Sequence, residues 1–465
     1  MKRSRTLIVG GAVVVLLVVG FIVVKALPKK SAAPATQTIQ LSKVDRDKIA
    51  SITLKHGDVT LHLNQKDKKW VVDYPYPIDW DQSSLTDIAD AFSSLYADRK
   101  IESDPTDLSQ FGLAPPVGTA VATLDDGTKV SYLLGNKTPA GGSYYFMKEG
   151  DKALYAVSSF TAGSLLSTID SLRNKTLPNV DSKSITYARV TTKGRTMEIV
   201  PIPKDNPLAF VSFADMELAK PFPVARPVDS SAFSKMFQTY PAYFQIQKFI
   251  NDRPTNLAEY GLAPPVASYE LKDSKDQSIH LLVGKTLPDG TVYAKLAGEP
   301  GVFTVNLSDI KSVLDVTPFG LEDKFLLIPN IDNVESFTIA TQSATYEAKI
   351  VRTPEKDAKP DAKGKIPTND TYFLNGKEIK GPIFKDFYQD VIGLLADSPN
   401  PNPRIPMRPE VTVTFHLNKG AGAYREYMVP YNRDFYAVYR DGLADVLLSK
   451  DQVVKMVDKA RELVK

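Results

Sequence analysis

The chain opens on an unbroken apolar run and then settles into short apolar/polar patterns that alternate between two periods. Leu7 to Val24 is uncharged over 18 residues. At about 1.5 Å per residue such a helix covers about 27 Å, and Ala26 and Leu27 extend it toward the roughly 30 Å of a hydrocarbon core. The run exceeds the roughly 7 to 15 apolar residues of a cleaved signal peptide. Pro34 also spoils the small-residue stretch Ser31-Ala32-Ala33-Pro34-Ala35 as a cleavage site. The pattern therefore predicts an uncleaved single-pass transmembrane helix as a signal anchor within residues 1–30, then a polar linker over 31–44.

Beyond residue 45 the pattern changes to strands. Ile49 to Asn64 carries two alternating runs broken at Gly57-Asp58, a hairpin signal, and Trp70-Val71-Val72 extends it. A helix follows, capped by Asp81 or Ser83, with Leu85, Ile88, Ala89, Phe92, Leu95 and Tyr96 on one face. Val117 to Leu124 and Val130 to Leu134 flank Asp125-Asp126-Gly127 as a second hairpin. Tyr144 to Lys148 and Leu154 to Val157 read as further strands, and Thr161 to Ile169 as a short closing helix. The expected class is α+β: tandem modules of mainly antiparallel sheet, each with one longer and one short helix, preceded by one transmembrane helix.

This arrangement recurs. Pro105-Thr106-Asp107-Leu108-Ser109-Gln110-Phe111-Gly112-Leu113-Ala114-Pro115-Pro116-Val117 returns 149 residues later as Pro254-Thr255-Asn256-Leu257-Ala258-Glu259-Tyr260-Gly261-Leu262-Ala263-Pro264-Pro265-Val266. The same offset carries Gly135 to Gly284, Pro139 to Pro288, Gly141 to Gly290 and Lys175 to Lys324. A period of this length is a duplicated domain. The second copy begins near Ser184-Ile185, with Phe233, Met236, Phe237 and Tyr240 as its helical stripe. A third, diverged copy is expected at the C-terminus, where Phe384, Phe387, Tyr388, Val391, Ile392 and Leu395 repeat the helical spacing. Its meander spans Val411 to Leu417, Tyr424 to Val429, Phe435 to Tyr439 and Asp445 to Leu448, with a closing helix from Asp451 to Val464. It replaces the Gly-Leu signature by a Pro-rich connector, Ser398 to Pro409. The modules are thus placed at 45–179, 180–330 and 331–465, the last with a Lys/Asp/Pro-rich mobile loop at 354–367.

Charge is distributed unevenly along the chain. The formal net charge is +3, but the six bases before residue 31 (Lys2, Arg3, Arg5, Lys25, Lys29, Lys30) all flank the apolar run, leaving 51 bases against 54 acids beyond it. No basic field remains for phosphates, which argues against nucleic acid as a partner. The bases on the two sides of the run nearly balance, so the short N-terminal tail and the large following portion decide the expected orientation, with the bulk extracytoplasmic. The absence of cysteine removes disulfides, thiolate metal sites and thiol nucleophiles.

Candidate chemistry is sparse. Val283-Gly284-Lys285-Thr286 resembles the end of a phosphate loop, but the glycine required five residues earlier is Ile279. His56, His62, His280 and His416 fall in predicted strands. Only the first two are near in sequence, and they lack a further ligand. There is no Gly-x-Ser-x-Gly elbow, and no pair among the scattered carboxylates stands out. The 21 Tyr and 21 Phe mostly alternate or lie on stripes, which is core packing, with an exposed aromatic groove as the minority alternative. Leu172-Arg173-Asn174-Lys175 and Leu321-Glu322-Asp323-Lys324 are expected to cap or link modules. No catalytic, cofactor-binding or metal-binding residue is expected.

At its Leu-x-x-[Phe/Tyr]-Gly-Leu-x-x-Pro signature, the Asp-Gly hairpin, the Thr-Pro-x-Gly turn and the Leu-Arg-Asn-Lys end, the sequence resembles a bacterial family known as domain of unknown function 4340. That resemblance implies a single N-terminal transmembrane segment and an association with gliding-type ABC transporter components, and it brings no catalytic residues. The resulting expectation is a non-enzymatic, membrane-anchored envelope protein, auxiliary to an ABC-type transport or cell-surface assembly, with the membrane and an envelope protein as partners. The alternatives are a glycan-, peptide- or solute-binding protein using an inter-module cleft, and a hydrolase with a hidden carboxylate pair.

Overall fold

The computed structural model describes residues 39–236, 245–356, 359–360, 366–418, 422–440 and 442–465. It divides into two compact units, residues 1–174 and 175–465.

The first unit contains β1 (Ile39–Lys43), β2 (Ile49–His56), β3 (Val59–Lys66), β4 (Lys69–Val72), the helix Gln82–Ser93, β5 (Ser94–Ala97), β6 (Arg99–Glu102), β7 (Gly118–Leu124), β8 (Lys129–Lys137), β9 (Ser143–Lys148), β10 (Leu154–Ser158) and the short helix Ser159–Leu165. Eight strands form one antiparallel sheet in the order β4-β3-β2-β7-β8-β9-β10-β6, while β1 pairs only with β5. Gly57, at φ +49°, turns β2 into β3 within two residues. Asp81 caps the long helix by accepting from Ser83 N at 3.0 Å. Its Leu85, Ile88, Ala89 and Phe92 are buried on the sheet, with Phe92 stacked on Tyr132 of β8 at 4.7 Å.

The second unit holds two further sheets of the same plan. One uses β11 (Ile185–Thr192), β12 (Arg195–Pro201), β13 (Met216–Lys220), β14 (Arg226–Pro227), β15 (Lys248–Asn251), β16 (Ala267–Asp273), β17 (Ser278–Thr286), β18 (Thr291–Leu296) and β19 (Val302–Asn306). The other uses β20 (Val334–Thr341), β21 (Thr345–Pro354), β22 (Thr368–Leu374), β23 (Lys377–Ile379), β24 (Ser398–Pro399), β25 (Val411–Leu417), β26 (Ala423–Pro430), β27 (Phe435–Arg440) and β28 (Leu443–Ser449). Their orders, β14-β13-β12-β11-β16-β17-β18-β19-β15 and β23-β22-β21-β20-β25-β26-β27-β28-β24, correspond strand for strand. The third sheet carries the helices Gly381–Ile392 and Lys450–Val464.

The recurring signature is a packing device. Gly112 and Gly261 end their 3-10 turns at φ +69° and +70°, a conformation that favours glycine. Gly135 and Gly284 leave room for the signature backbone: a Cβ there would lie 2.2 Å from the Phe111 carbonyl oxygen and 2.1 Å from that of Tyr260. Phe111 then meets Tyr145 edge-on at 4.9 Å, and Tyr260 meets Tyr293 at 5.1 Å.

The expectation of an α+β class behind a transmembrane helix is corrected. The described residues are mostly antiparallel strand in four sheets. The helix ends at Ser93, so Leu95 and Tyr96, expected on its face, lie in β5 paired with β1, while Met216–Lys220 adds an inner strand and Lys248–Asn251 an edge strand to the second sheet. Among the described residues no helix is long and apolar enough to cross a membrane. The expected span Leu7 to Val24 lies outside the described residues, as do Phe237 and Tyr240 of the second stripe. Within the expected linker, Ile39–Lys43 is β1. In the expected mobile loop, β21 and β22 stay paired out to Pro354 and Thr368, while 357–358 and 361–365 lie outside the described residues.

Candidate functional site

In the second unit a segment between β12 and β13 leaves its own sheet and enters the core of the next. Pro207 starts the single turn Leu208–Val211, and Asn206 fixes its entry by accepting from Leu208 N at 2.9 Å and donating to Glu217 at 2.8 Å. Val211, 3% exposed, joins the apolar core of the third sheet, and its carbonyl accepts from Ile328 N at 2.9 Å. Between this segment, β14 and the start of β26 lies a cleft of about 410 Å³, within the roughly 300 to 1,000 Å³ range of small-molecule sites. Its walls are mainly apolar: Leu208, Val211, Val224 and Ala225 from one module, Ala423 and Tyr424 from the other, with Leu326 and Leu327 from the connecting stretch.

Buried charges stand behind these walls. Arg226 Nε donates to Asp445 at 3.2 Å, and the same guanidinium lies 5.4 Å from the Phe222 ring centroid. Arg440 donates to Asp445 at 3.1 Å and forms an ion pair with Glu322. Burial raises the Glu322 carboxyl above its ordinary value, against the pull of Arg440. Arg440 is held above its ordinary value despite burial, because Glu322 and Asp445 favour its charge. Arg226 and Arg440 thus meet Asp445 and Glu322 across the joint of two modules.

Glu426 is a fifth buried charged group without such a match. It lines the cleft, is 2% exposed, and its Oε1 has no hydrogen-bond partner. Burial pushes its carboxyl up to about 8, with Arg440 pulling the other way. The position is core-facing in all three sheets. Tyr132 in β8 pairs with Ala120, Leu281 in β17 pairs with Tyr269, and Glu426 in β26 pairs with Val413. Tyr132 and Leu281 are fully buried. The third module thus carries a carboxylic acid where the other two carry a tyrosine and a leucine.

The residues weighed from sequence do not converge. His56 Nε2 donates to the Ser167 carbonyl at 2.8 Å, and His62 shares a 3.2 Å hydrogen bond with Thr53, its cross-strand partner. His280 and His416 are exposed strand residues. Among the described residues no group of three or more His, Asp or Glu could hold a metal. Gly284, Lys285 and Thr286 finish β17. Leu321-Glu322-Asp323-Lys324 does link modules, through Glu322 and Arg440. Sequence reading missed Glu426, although it shares its strand phase with buried Met428.

The family model described as Domain of unknown function (DUF4340) matches the chain twice, over residues 70–238 and 221–381. The first match begins in β4 and the second between β13 and β14, and each runs past the opening strands of the next sheet. No curated protein and no solved structure matches the chain. With the two matches together running from residue 70 to residue 381, the chain belongs to the family described as Domain of unknown function (DUF4340).

Proposed function

We propose that this chain is a non-enzymatic binding protein that takes a small solute into the cleft between its second and third modules. The observation that carries this reading is the 410 Å³ apolar cleft with one unmatched carboxyl in its wall. The repeated residues support it as well, because backbone approach and aromatic contact consume them and leave no reacting pair. The test is a thermal-shift screen of a solute library against the wild type and Ala225→Trp, which fills the cleft from its own wall. Compounds that raise the wild-type melting temperature should leave the variant unmoved. Compounds that stabilise both equally bind elsewhere and count against the reading.

A second reading, docking onto an envelope partner of the ABC-type transport class, draws on a different observation. The valine closing the signature is exposed in both copies, Val117 at 41% and Val266 at 61%. This reading rests on the recurrence of an exposed apolar side chain at one position of two modules. Val117→Asp with Val266→Asp should abolish co-purification of a transport component from membranes. Undiminished recovery would refute it.

A further inference from the structure

We infer that the ligand of this cleft carries a cationic amine on an apolar body, and that the amine seats against the carboxyl of Glu426. The inference rests on the cleft-binding reading above and specifies the chemistry of what binds.

Three observations converge on it. First, among the described residues no base forms an ion pair with Glu426, whereas Arg226 pairs with Asp445 and Arg440 with Asp445 and Glu322. A buried carboxylate is stable only when it is paired and hydrogen-bonded. Second, Oε1 is buried without a hydrogen-bond partner, on a side chain that lines a cavity large enough for a guest. Arg226 and Arg440 are held by other carboxyls. Third, the acid replaces Tyr132 and Leu281 of the sister sheets, where an aromatic ring and an aliphatic side chain close the core. The third module has thus exchanged a closing contact for an acidic wall. Beside Arg226, Arg425 and Arg440, the lining is chiefly apolar, with Leu208, Val211, Val224, Ala225 and Leu326, which suits an aliphatic or aromatic body.

The proton balance follows. Glu426, with its carboxyl raised to about 8, holds a proton in the empty cleft at neutral pH. When an ammonium enters, that proton leaves to solvent and the carboxylate pairs with the incoming charge, so one proton is released per ligand bound. The groups facing this event are Arg440 and Arg226 with their partners Asp445 and Glu322, the exposed Arg425 at the rim, and Tyr424, whose hydroxyl burial pushes up. The guanidinium groups stay charged throughout.

The experiment is isothermal titration calorimetry of the full chain with three probes of one shape: phenethylamine, phenethyl alcohol and hydrocinnamate. Phenethylamine should bind best, with affinity rising by up to about tenfold per pH unit below about pH 8 and levelling above it. Heats in buffers of different ionisation enthalpy should report close to one proton released below that range. The near-isosteric Glu426→Gln should remove both the pH dependence and the preference for amine over alcohol. Equal, pH-independent binding of amine and alcohol, blocked by Ala225→Trp, would overturn the cationic ligand and leave cleft binding standing. So would an amine preference that survives Glu426→Gln. If none of the three probes binds, the cationic ligand is likewise overturned, and cleft binding is judged by the library screen alone.

Discussion

Replacing Glu426 by glutamine keeps the shape of the side chain and removes its titration, so the stability difference between variant and wild type isolates one buried carboxyl. In the unfolded chain that carboxyl titrates near its ordinary value of 4.5, and in the folded chain near 8. Between these limits the folded state holds a proton that the unfolded state has lost, so wild-type stability falls as pH rises. The slope is about 1.4 kcal/mol per pH unit, and the whole window of about 3.5 units is worth on the order of 5 kcal/mol. The contribution is fully present below about 4.5 and gone above about 8. Glu426→Gln should therefore match the wild type to within about 1 kcal/mol near pH 5 and exceed it by roughly 3 to 5 kcal/mol near pH 8.5. Urea unfolding at several pH values measures this, read by far-UV circular dichroism beside tryptophan fluorescence. Trp70 and Trp80 are the only tryptophans and both lie in the first unit's core, so fluorescence follows that unit while the dichroism includes the second. A pH-independent difference, or one that shrinks toward alkaline pH, would refute the assignment of Glu426 as a buried, unmatched acid.

Other substitutions test the joint and the scaffold. Arg440→Met strands Glu322, leaves Asp445 with Arg226, and should cost about 3 to 5 kcal/mol in the dichroism transition; a cost below about 1 kcal/mol would show that the ion cluster adds nothing. Gly284→Ala drives a methyl into the Tyr260 carbonyl and should destabilise the second unit by about 1 to 3 kcal/mol. Gly135→Ala should do the same to the first unit, seen by fluorescence, whereas Gly142→Ala, with open space around it, should be silent. Asp81→Ala removes the cap of Gln82–Ser93 and should lower the fluorescence-detected stability by about 1 kcal/mol.

Much of this architecture can be read from residue pattern. The turn at Gly57-Asp58, the stripe Leu85-Ile88-Ala89-Phe92 and the meander Val411 to Leu448 stand where alternation and helical spacing place them, because each buries one face and so leaves a periodic trace. The edge strands leave none. Arg226–Pro227 and Ser398–Pro399 are two residues long, too short for any period, and each contains a proline that reads as a loop. The cleft was hidden for another reason. Arg226, Glu322, Glu426, Arg440 and Asp445 are scattered over 220 positions, and only the docking of two modules assembles them. Glu426 alone had a local signal, an acid on the buried phase of its strand beside Met428, but one acid in an alternating run is easily taken for a solvent-facing residue.

The segments that follow each module have a practical consequence for anyone dissecting the chain. Thr176 forms a bridge with Gln245, and Phe325 with Leu395, while Ile39–Lys43 does the same service for Ser94–Ala97. Every module therefore wears a ribbon supplied from upstream. Scissors placed at the visible end of a preceding sheet would spare that ribbon, whereas a start codon set at the first long strand, Ile185 or Val334, would discard it. Fragments for expression should begin before Lys175 or Lys324, a dozen or so residues ahead of where sheet boundaries alone would suggest.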